Sequence, residues 1–124
     1  MLVYLGMNTT SHQLLKGSLS AIILKLLADT EWMYGYEICQ KVKQITDGQL
    51  KITEGALYPA LYKLEADGML ITKTQIVEGR TRKYYAIAQD QQGNAVDRLA
   101  QIDQFLHQLQ RILTPSDLHQ LPTP

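Results

Sequence analysis

The spacing at which apolar residues recur changes twice along this 124-residue chain, and those changes restrict its fold more than any single motif. Leu14/Leu15, Ser18/Leu19, Ile22/Ile23 and Leu26/Leu27 recur every four residues, the stripe of a buried amphipathic helix. Thr10 followed by Gln13 offers that helix a capping box. After a link over Asp29–Met33 comes Tyr34-Gly35-Tyr36 and a second helix, in which Ile38, Cys39, Val42 and Ile45 share a face. Asp47-Gly48 ends it as a turn. A short extended piece, Leu50–Ile52, then leads to Thr53, the N-cap of a third helix at about Thr53–Asp67. Leu57, Ala60, Leu61 and Leu64 give this helix a narrow stripe, and Gly68 stops it.

The pattern then turns to β. Met69–Val77 is rich in Thr, Ile and Val, Lys83–Ala88 holds Tyr84, Tyr85 and Ile87, and Glu78-Gly79-Arg80-Thr81 reads as the loop between them. Tyr84 and Tyr85 must point to opposite faces of the strand, and the sequence leaves open which is buried. A long helix follows, about Gln91 to Leu113, with Asp90 as its expected cap. Ala95, Leu99, Ile102, Leu106, Leu109 and Leu113 alternate spacings of four and three, a coiled-coil-like seam that Val96, Phe105 and Ile112 widen. Thr114–Asp117 resembles the start of a further helical turn, and the end bearing Pro122 and Pro124 is expected to fray. The expected fold is mainly α with a small β-hairpin: a winged helix-turn-helix plus a long C-terminal dimerisation helix. The expected divisions are an N-terminal extension (1–11), a DNA-binding domain (12–89), the dimerisation helix (90–113) and a short tail (114–124).

Composition narrows the function. A hydrophobic fraction of 45% suits a packed domain, and the single cysteine, Cys39, excludes an internal disulfide framework. Met1–Met7 lacks a basic leader, and Lys16, Ser18, Ser20 and Lys25 interrupt the apolar stretch Leu14–Leu27. The chain therefore reads as soluble and cytoplasmic, without a membrane partner. Its net charge is zero, which by itself speaks against nucleic acid. The distribution speaks for it: residues 36–85 carry eight Lys/Arg against six Asp/Glu, and residues 86–124 carry two against four. Arg80, Arg82 and Lys83 are the only charges in 79–85.

With Leu57, Leu61 and Leu64 facing the core, Gly55, Pro59, Tyr62 and Ala66 fall on the opposite face of the third helix, flanked by Tyr58 and Lys63. Small residues there let the backbone approach a DNA groove, and Pro59 is expected to kink or restart the helix. The hydroxyls of Thr53, Tyr58 and Tyr62 and the ammonium of Lys63 can reach phosphates or base edges. Tyr58 has an equal claim to a place in the core against the first helix. At the hairpin, expected over about Ile76–Tyr85, Gly79 allows close approach while Arg80, Arg82 and Lys83 can clamp phosphates or enter a minor groove. A charged hairpin tip with no partner is the plainer reading, and the adjoining third helix tips the balance. The seam of Ala95, Leu99, Ile102, Phe105, Leu106, Leu109 and Leu113 is assigned to a second copy of the chain. Part of that stripe can fold back on its own domain.

His12, His107 and His119 show no metal-ligand spacing, Cys39 reads as a small core residue, and Glu65 and Asp67 read as ordinary surface charges. Neither a catalytic constellation nor a cofactor or metal motif is visible, so an enzyme is not expected.

Over roughly residues 14–113 the chain resembles the PadR-like transcriptional regulators of bacteria. The most specific stretch is Gly55-Ala56-Leu57-Tyr58-Pro59-Ala60-Leu61-Tyr62-Lys63-Leu64-Glu65 followed by Asp67-Gly68-Met69-Leu70-Ile71. The second is Glu78-Gly79-Arg80-Thr81-Arg82-Lys83-Tyr84-Tyr85, which is similar to the family's wing signature. Leu14-Leu15-Lys16-Gly17 and Gly35-Tyr36-Glu37-Ile38 add to these. The resemblance implies a homodimeric repressor on a near-palindromic double-stranded DNA operator, released by a small-molecule effector, and the single long tail helix resembles the compact branch. Tyr34 stands where a His is common, and Asp90 where a capping Thr is. The last helix has no Trp on which a drug could stack, since the sole Trp, Trp32, precedes the second helix. The competing expectation, from zero net charge and a Tyr/Pro-rich helix face, is a winged-helix module that binds protein without DNA.

Overall fold

Residues 9–116, with side chains from residue 13 onward, are described by a computed structural model. The four-residue ladder near the start forms α1 (Thr9–Thr30), whose Leu15, Leu19, Ile23, Leu24, Leu26 and Leu27 are buried against later elements. The capping side chain expected at Thr10 lies outside the described side chains. Helix α1 runs past Asp29, so the expected link shrinks to Glu31 and Trp32, with Glu31 in the left-handed region at φ 79°. Next come β1 (Met33–Tyr34), α2 (Gly35–Ile45) and α3 (Glu54–Ala66). Ile38, Cys39 and Val42 of α2 enter the core, but Ile45 at its last position remains exposed. Leu50–Ile52 joins no strand, although Ile52 is buried and anchors the connection to α3.

Strands β2 (Leu70–Val77) and β3 (Arg80–Ile87) pair antiparallel from Leu70 with Ile87 to Val77 with Arg80. The loop expected to take four residues is therefore a two-residue turn, Glu78-Gly79, with φ of 52° and 77°. Consecutive positive φ values match the twist of a tight hairpin, and glycine adopts them without steric cost. Arg80 and Thr81 thus belong to the strand. Strand β1 adds itself to β3 through Met33 with Tyr85 and Tyr34 with Tyr84, so the sheet has three strands in the order β1-β3-β2 where a hairpin alone was expected. Two residues are too short to show a period in sequence.

After β3, Gln89–Gln91 forms a 3₁₀ turn and α4 spans Gln92–Leu113. Asp90 lies inside that turn rather than capping the helix, and Gln91 at the cap position makes no side-chain cap bond. Pro59 neither ends nor restarts α3, which continues from Glu54 to Ala66. The amide it lacks would have bonded the carbonyl of Gly55, in the solvent-exposed first turn where water can serve instead. The core gathers Tyr85, Ile23, Leu24, Ile38, Leu57 and Leu61, all essentially inaccessible, from α1, α2, α3 and β3. Thr114–Ser116 closes the described chain. The rest of the expected helical turn and the Pro122/Pro124 end lie outside the described residues.

Candidate nucleic-acid interface

The α2–α3 corner is built from local hydrogen bonds. Thr46 Oγ1 donates to the Val42 carbonyl at 2.8 Å and accepts from the Leu50 amide at 3.0 Å. Asp47 and Gly48 both take left-handed φ, and the Gly48 amide donates to the Lys43 carbonyl at 2.7 Å. Thr53 then caps α3 as expected, its Oγ1 accepting from the Ala56 amide at 3.2 Å. Replacing such a cap by alanine costs about 1 kcal/mol.

The two helices close on one another at Gly35. A Cβ there would lie 2.6 Å from Tyr58 Oη and 2.8 Å from its Cζ, so the Tyr58 ring rests directly on the α2 backbone. Tyr58 therefore packs on α2 and against the edge of the core, and is half-buried. Its Oη donates a long hydrogen bond to Glu54 Oε1 at 3.5 Å. Burial first, and then the nearby Glu54 charge, pushes the Tyr58 hydroxyl above its ordinary pKa. Its ring also leans on Tyr62, with centroids 5.9 Å apart.

The face of α3 turned from the core is as the periodicity predicts. Leu57, Leu61 and Leu64 are buried, while Thr53, Gly55, Pro59, Tyr62, Lys63 and Ala66 are exposed. A Cβ on Gly55 would meet nothing within 4 Å, so packing inside the chain does not require glycine there. The same holds at Gly17 and Gly93, and only its place on this face sets Gly55 apart.

The wing separates its cations by sheet face. Gly79 is exposed at the turn and Arg80 is exposed beside it. Arg82 shares the outer face with Tyr84, and its guanidinium lies 4.6 Å from the Tyr34 ring centroid. Lys73 covers Trp32 at 4.3 Å on that same side. Lys63, Lys73, Arg80 and Arg82 form no ion pair among the described residues. Lys83 behaves otherwise. It points to the helix side, 3.2 Å from Glu65 Oε1 and 5.4 Å from the centroids of both Tyr62 and Tyr85. The hydrogen bond to Glu65 raises the Lys83 pKa above the ordinary lysine value. Glu65 also accepts from Thr72 Oγ1 at 3.4 Å, so one carboxylate on α3 touches both wing strands. Read in sequence as an ordinary surface charge, Glu65 is half-buried and bridging. Its spacing of eighteen residues from Lys83 carries no local signal.

Tyr85 is the buried member of the tyrosine pair, and burial raises its pKa. Its hydroxyl has no hydrogen-bond partner among the described residues. Cys39 is buried as expected, and desolvation raises its thiol above the usual range, which leaves it a poor nucleophile.

On α4 the seam divides. Ala95 is buried in the chain's own core and Leu99 packs against it. Leu109 is half-buried, and Ile102, Phe105, Leu106 and Leu113 are exposed, Phe105 at 63%. Ile102 and Leu106 line an open apolar groove of about 650 Å³ with Leu99 and with Ile22, Leu26 and Ile45 of α1 and α2. Among the described residues no helix is long and apolar enough to cross a membrane, and no group of three or more His, Cys, Asp or Glu could hold a metal.

A helix-turn-helix followed by a two-stranded wing, with the third helix exposed on one face, defines a winged-helix protein. The chain belongs to the Transcriptional regulator PadR-like family, whose profile matches residues 23–95. It is similar to Transcriptional regulator Rv3488 of Mycobacterium tuberculosis, at 46% identity over 35 residues, 28% of this chain and 33% of that protein. The aligned part is thus a third of that relative's length. A transcriptional regulator from Clostridium thermocellum superposes with a TM-score of 0.71 at 25% identity, over 82% of this chain and 99% of the other. A PadR-like transcription factor from Bacteroides fragilis follows with a TM-score of 0.65 at 28% identity, over 85% and 99%.

Proposed function

We propose that this transcriptional regulator binds double-stranded DNA in a sequence-specific manner as a homodimer, repressing from a near-palindromic operator. The observation that carries the reading is the continuity of α3 with the wing. Tyr62 on the exposed face of α3 approaches Lys83 of β3 at 5.4 Å, so the helix face adjoins the wing strand whose other face carries Arg82, and neither Arg80 nor Arg82 forms an ion pair among the described residues. Thr53, Gly55, Tyr58, Tyr62 and Lys63 on α3 would approach a major groove. Gly79, Arg80 and Arg82 would meet the flanking backbone or minor groove. That face offers hydroxyls and one lysine rather than the Arg, Asn or Gln that read bases in bidentate fashion, so phosphate positioning supplies much of the affinity. In this reading residues 12–89 form the DNA-binding domain and 90–113 the dimerisation element.

The exposed part of the α4 stripe supports pairing with a second copy, because Phe105 and Leu113, and in lesser part Leu106 and Ile102, remain exposed among the described residues. A two-fold dimer would hold its α3 helices about 34–36 Å apart, one turn of DNA. The apolar groove beside α4 is where a small-molecule effector would bias that pairing.

Fluorescence anisotropy with DNA from upstream of the gene tests the reading. Arg80→Ala with Arg82→Ala is expected to flatten the slope of log affinity against log salt by about 1.8, since each lost phosphate contact removes about 0.9. An unchanged slope defeats the wing assignment. Leu106→Asp is expected to halve the mass seen by light scattering, and an unchanged mass defeats the α4 assignment. Zero net charge favours a second reading, a module that binds protein. Salt-insensitive capture of a protein partner, with no affinity for any DNA, would select it.

A further inference from the structure

We infer that Glu65 and Lys83 form a positioning pair that sets the wing's angle to α3, and that the Lys83 charge serves this contact rather than a phosphate. The inference rests on the DNA-binding reading but reassigns one of its residues. Four contacts lead to it. Lys83 Nζ lies 3.2 Å from Glu65 Oε1 and 5.4 Å from the ring centroids of both Tyr62 and Tyr85. The other Glu65 oxygen accepts from Thr72 Oγ1 at 3.4 Å.

The carboxylate therefore holds β3 by one oxygen and β2 by the other, both from the last turns of the helix that would enter the groove. Among the described residues the charged and aromatic partners of the Lys83 ammonium are Glu65 and Tyr62 of α3 and the buried Tyr85. Arg82, one residue earlier, points to the other face of the sheet and has no carboxylate partner among the described residues. Strand β1 and the core already hold the wing at Tyr84 and Tyr85, but without a further contact its outer half could twist against α3. The bridge opposes that twist midway along the hairpin, where Thr72 and Lys83 lie near the middle of the ladder.

Charge and position predict opposite signs, which makes the pair testable. By charge alone, removing an acid beside DNA tightens binding, and removing a lysine that touches phosphate flattens the salt slope by about 0.9. If the pair positions the wing, Glu65→Gln weakens operator binding, by about three- to fivefold for a partly exposed pair. Lys83→Gln weakens it equally with the wild-type salt slope, and the double variant is no worse than either single one. The exchanged pair, Glu65→Lys with Lys83→Glu, recovers most of the affinity.

Hydrogen exchange supplies a readout that needs no DNA. Glu65→Gln and Lys83→Gln are each expected to speed exchange of the β2–β3 amides while leaving α1 and α2 unchanged. Tighter binding by Glu65→Gln, a flattened slope in Lys83→Gln, or unaltered wing exchange in both overturns the inference. Wild-type protein with no affinity for DNA, alongside faster wing exchange in both variants, overturns the DNA-binding reading instead and leaves the strap established by exchange alone.

Discussion

The inner and outer faces of the wing carry the same kinds of side chain and use them in opposite ways. On the inner face Tyr85 is fully buried and Lys83 is tied to Glu65 of α3. On the outer face Tyr84 is half-exposed, and Arg82 rests on the Tyr34 ring without a carboxylate partner among the described residues. The residues alternate one by one, so a pleat of period two sorts adjacent positions into those tied to α3 and the core and those set on the outer face beside Tyr34. A run of basic residues is thus not a uniform electrostatic patch. Its members differ according to what the opposing element offers them.

Truncation should expose this contrast most strongly. Tyr85→Ala is expected to destabilise the protein by about 3–5 kcal/mol, as removal of a buried aromatic ring does, while Tyr84→Ala costs about 1 kcal/mol or less. Urea unfolding of the two variants measures both, and equal losses would erase the distinction between the faces. The next largest effect concerns binding. Arg82→Gln should lower the salt slope on DNA by about 0.9 and leave the thermal midpoint where it is. A shifted midpoint with an unchanged slope would make Arg82 a structural residue.

Two smaller effects refine the inner face. Tyr85→Phe removes a buried hydroxyl without a partner among the described residues, and is expected to leave stability unchanged or raise it by up to about 1 kcal/mol. A loss of that size in calorimetry would mean that the hydroxyl is hydrogen-bonded in solution. The smallest effect is the pH dependence of the Lys83–Glu65 pair. The Lys83 pKa is raised in the folded protein, so its contribution is complete below the unfolded lysine value of about 10.4 and is lost as pH rises through the folded one. Wild type should exceed Lys83→Gln by about half a kcal/mol near pH 8, and the difference should vanish above the lysine range. A gap that persists there would mean that packing of the Lys83 stem, not its charge, carries the contact.

Much of the fold was legible because it is written over short distances. The Leu57, Leu61 and Leu64 stripe, the Thr53 cap and the family motifs lie within a few residues of one another, and helix periodicity and capping act on that scale. The errors occurred where spacing is equally local but ambiguous. Four residues at the hairpin fit a loop as well as they fit a two-residue turn with strand on either side. Asp90 satisfies the composition of a cap yet falls in the 3₁₀ turn before the helix. Ile45 keeps the spacing of the α2 stripe but sits at the helix end, beyond the reach of the core.

The chain by itself determined the order of its elements, the exposed face of α3 and the family to which it belongs, since each depends on near neighbours in sequence. Tertiary structure alone decided that Tyr85 and not Tyr84 is buried, that Ala95 and Leu99 turn back to their own domain, and that Lys83 meets Glu65. It also decided that Met33–Tyr34 would join the sheet. The burial of Tyr85, the Lys83–Glu65 contact and the added strand depend on how α2, α3 and the sheet seat against one another, and the turn of Ala95 and Leu99 on how α4 lies against α1. The close contact of Tyr58 with Gly35 and the β1–β3 register set that seating, and neither is a property of any one segment.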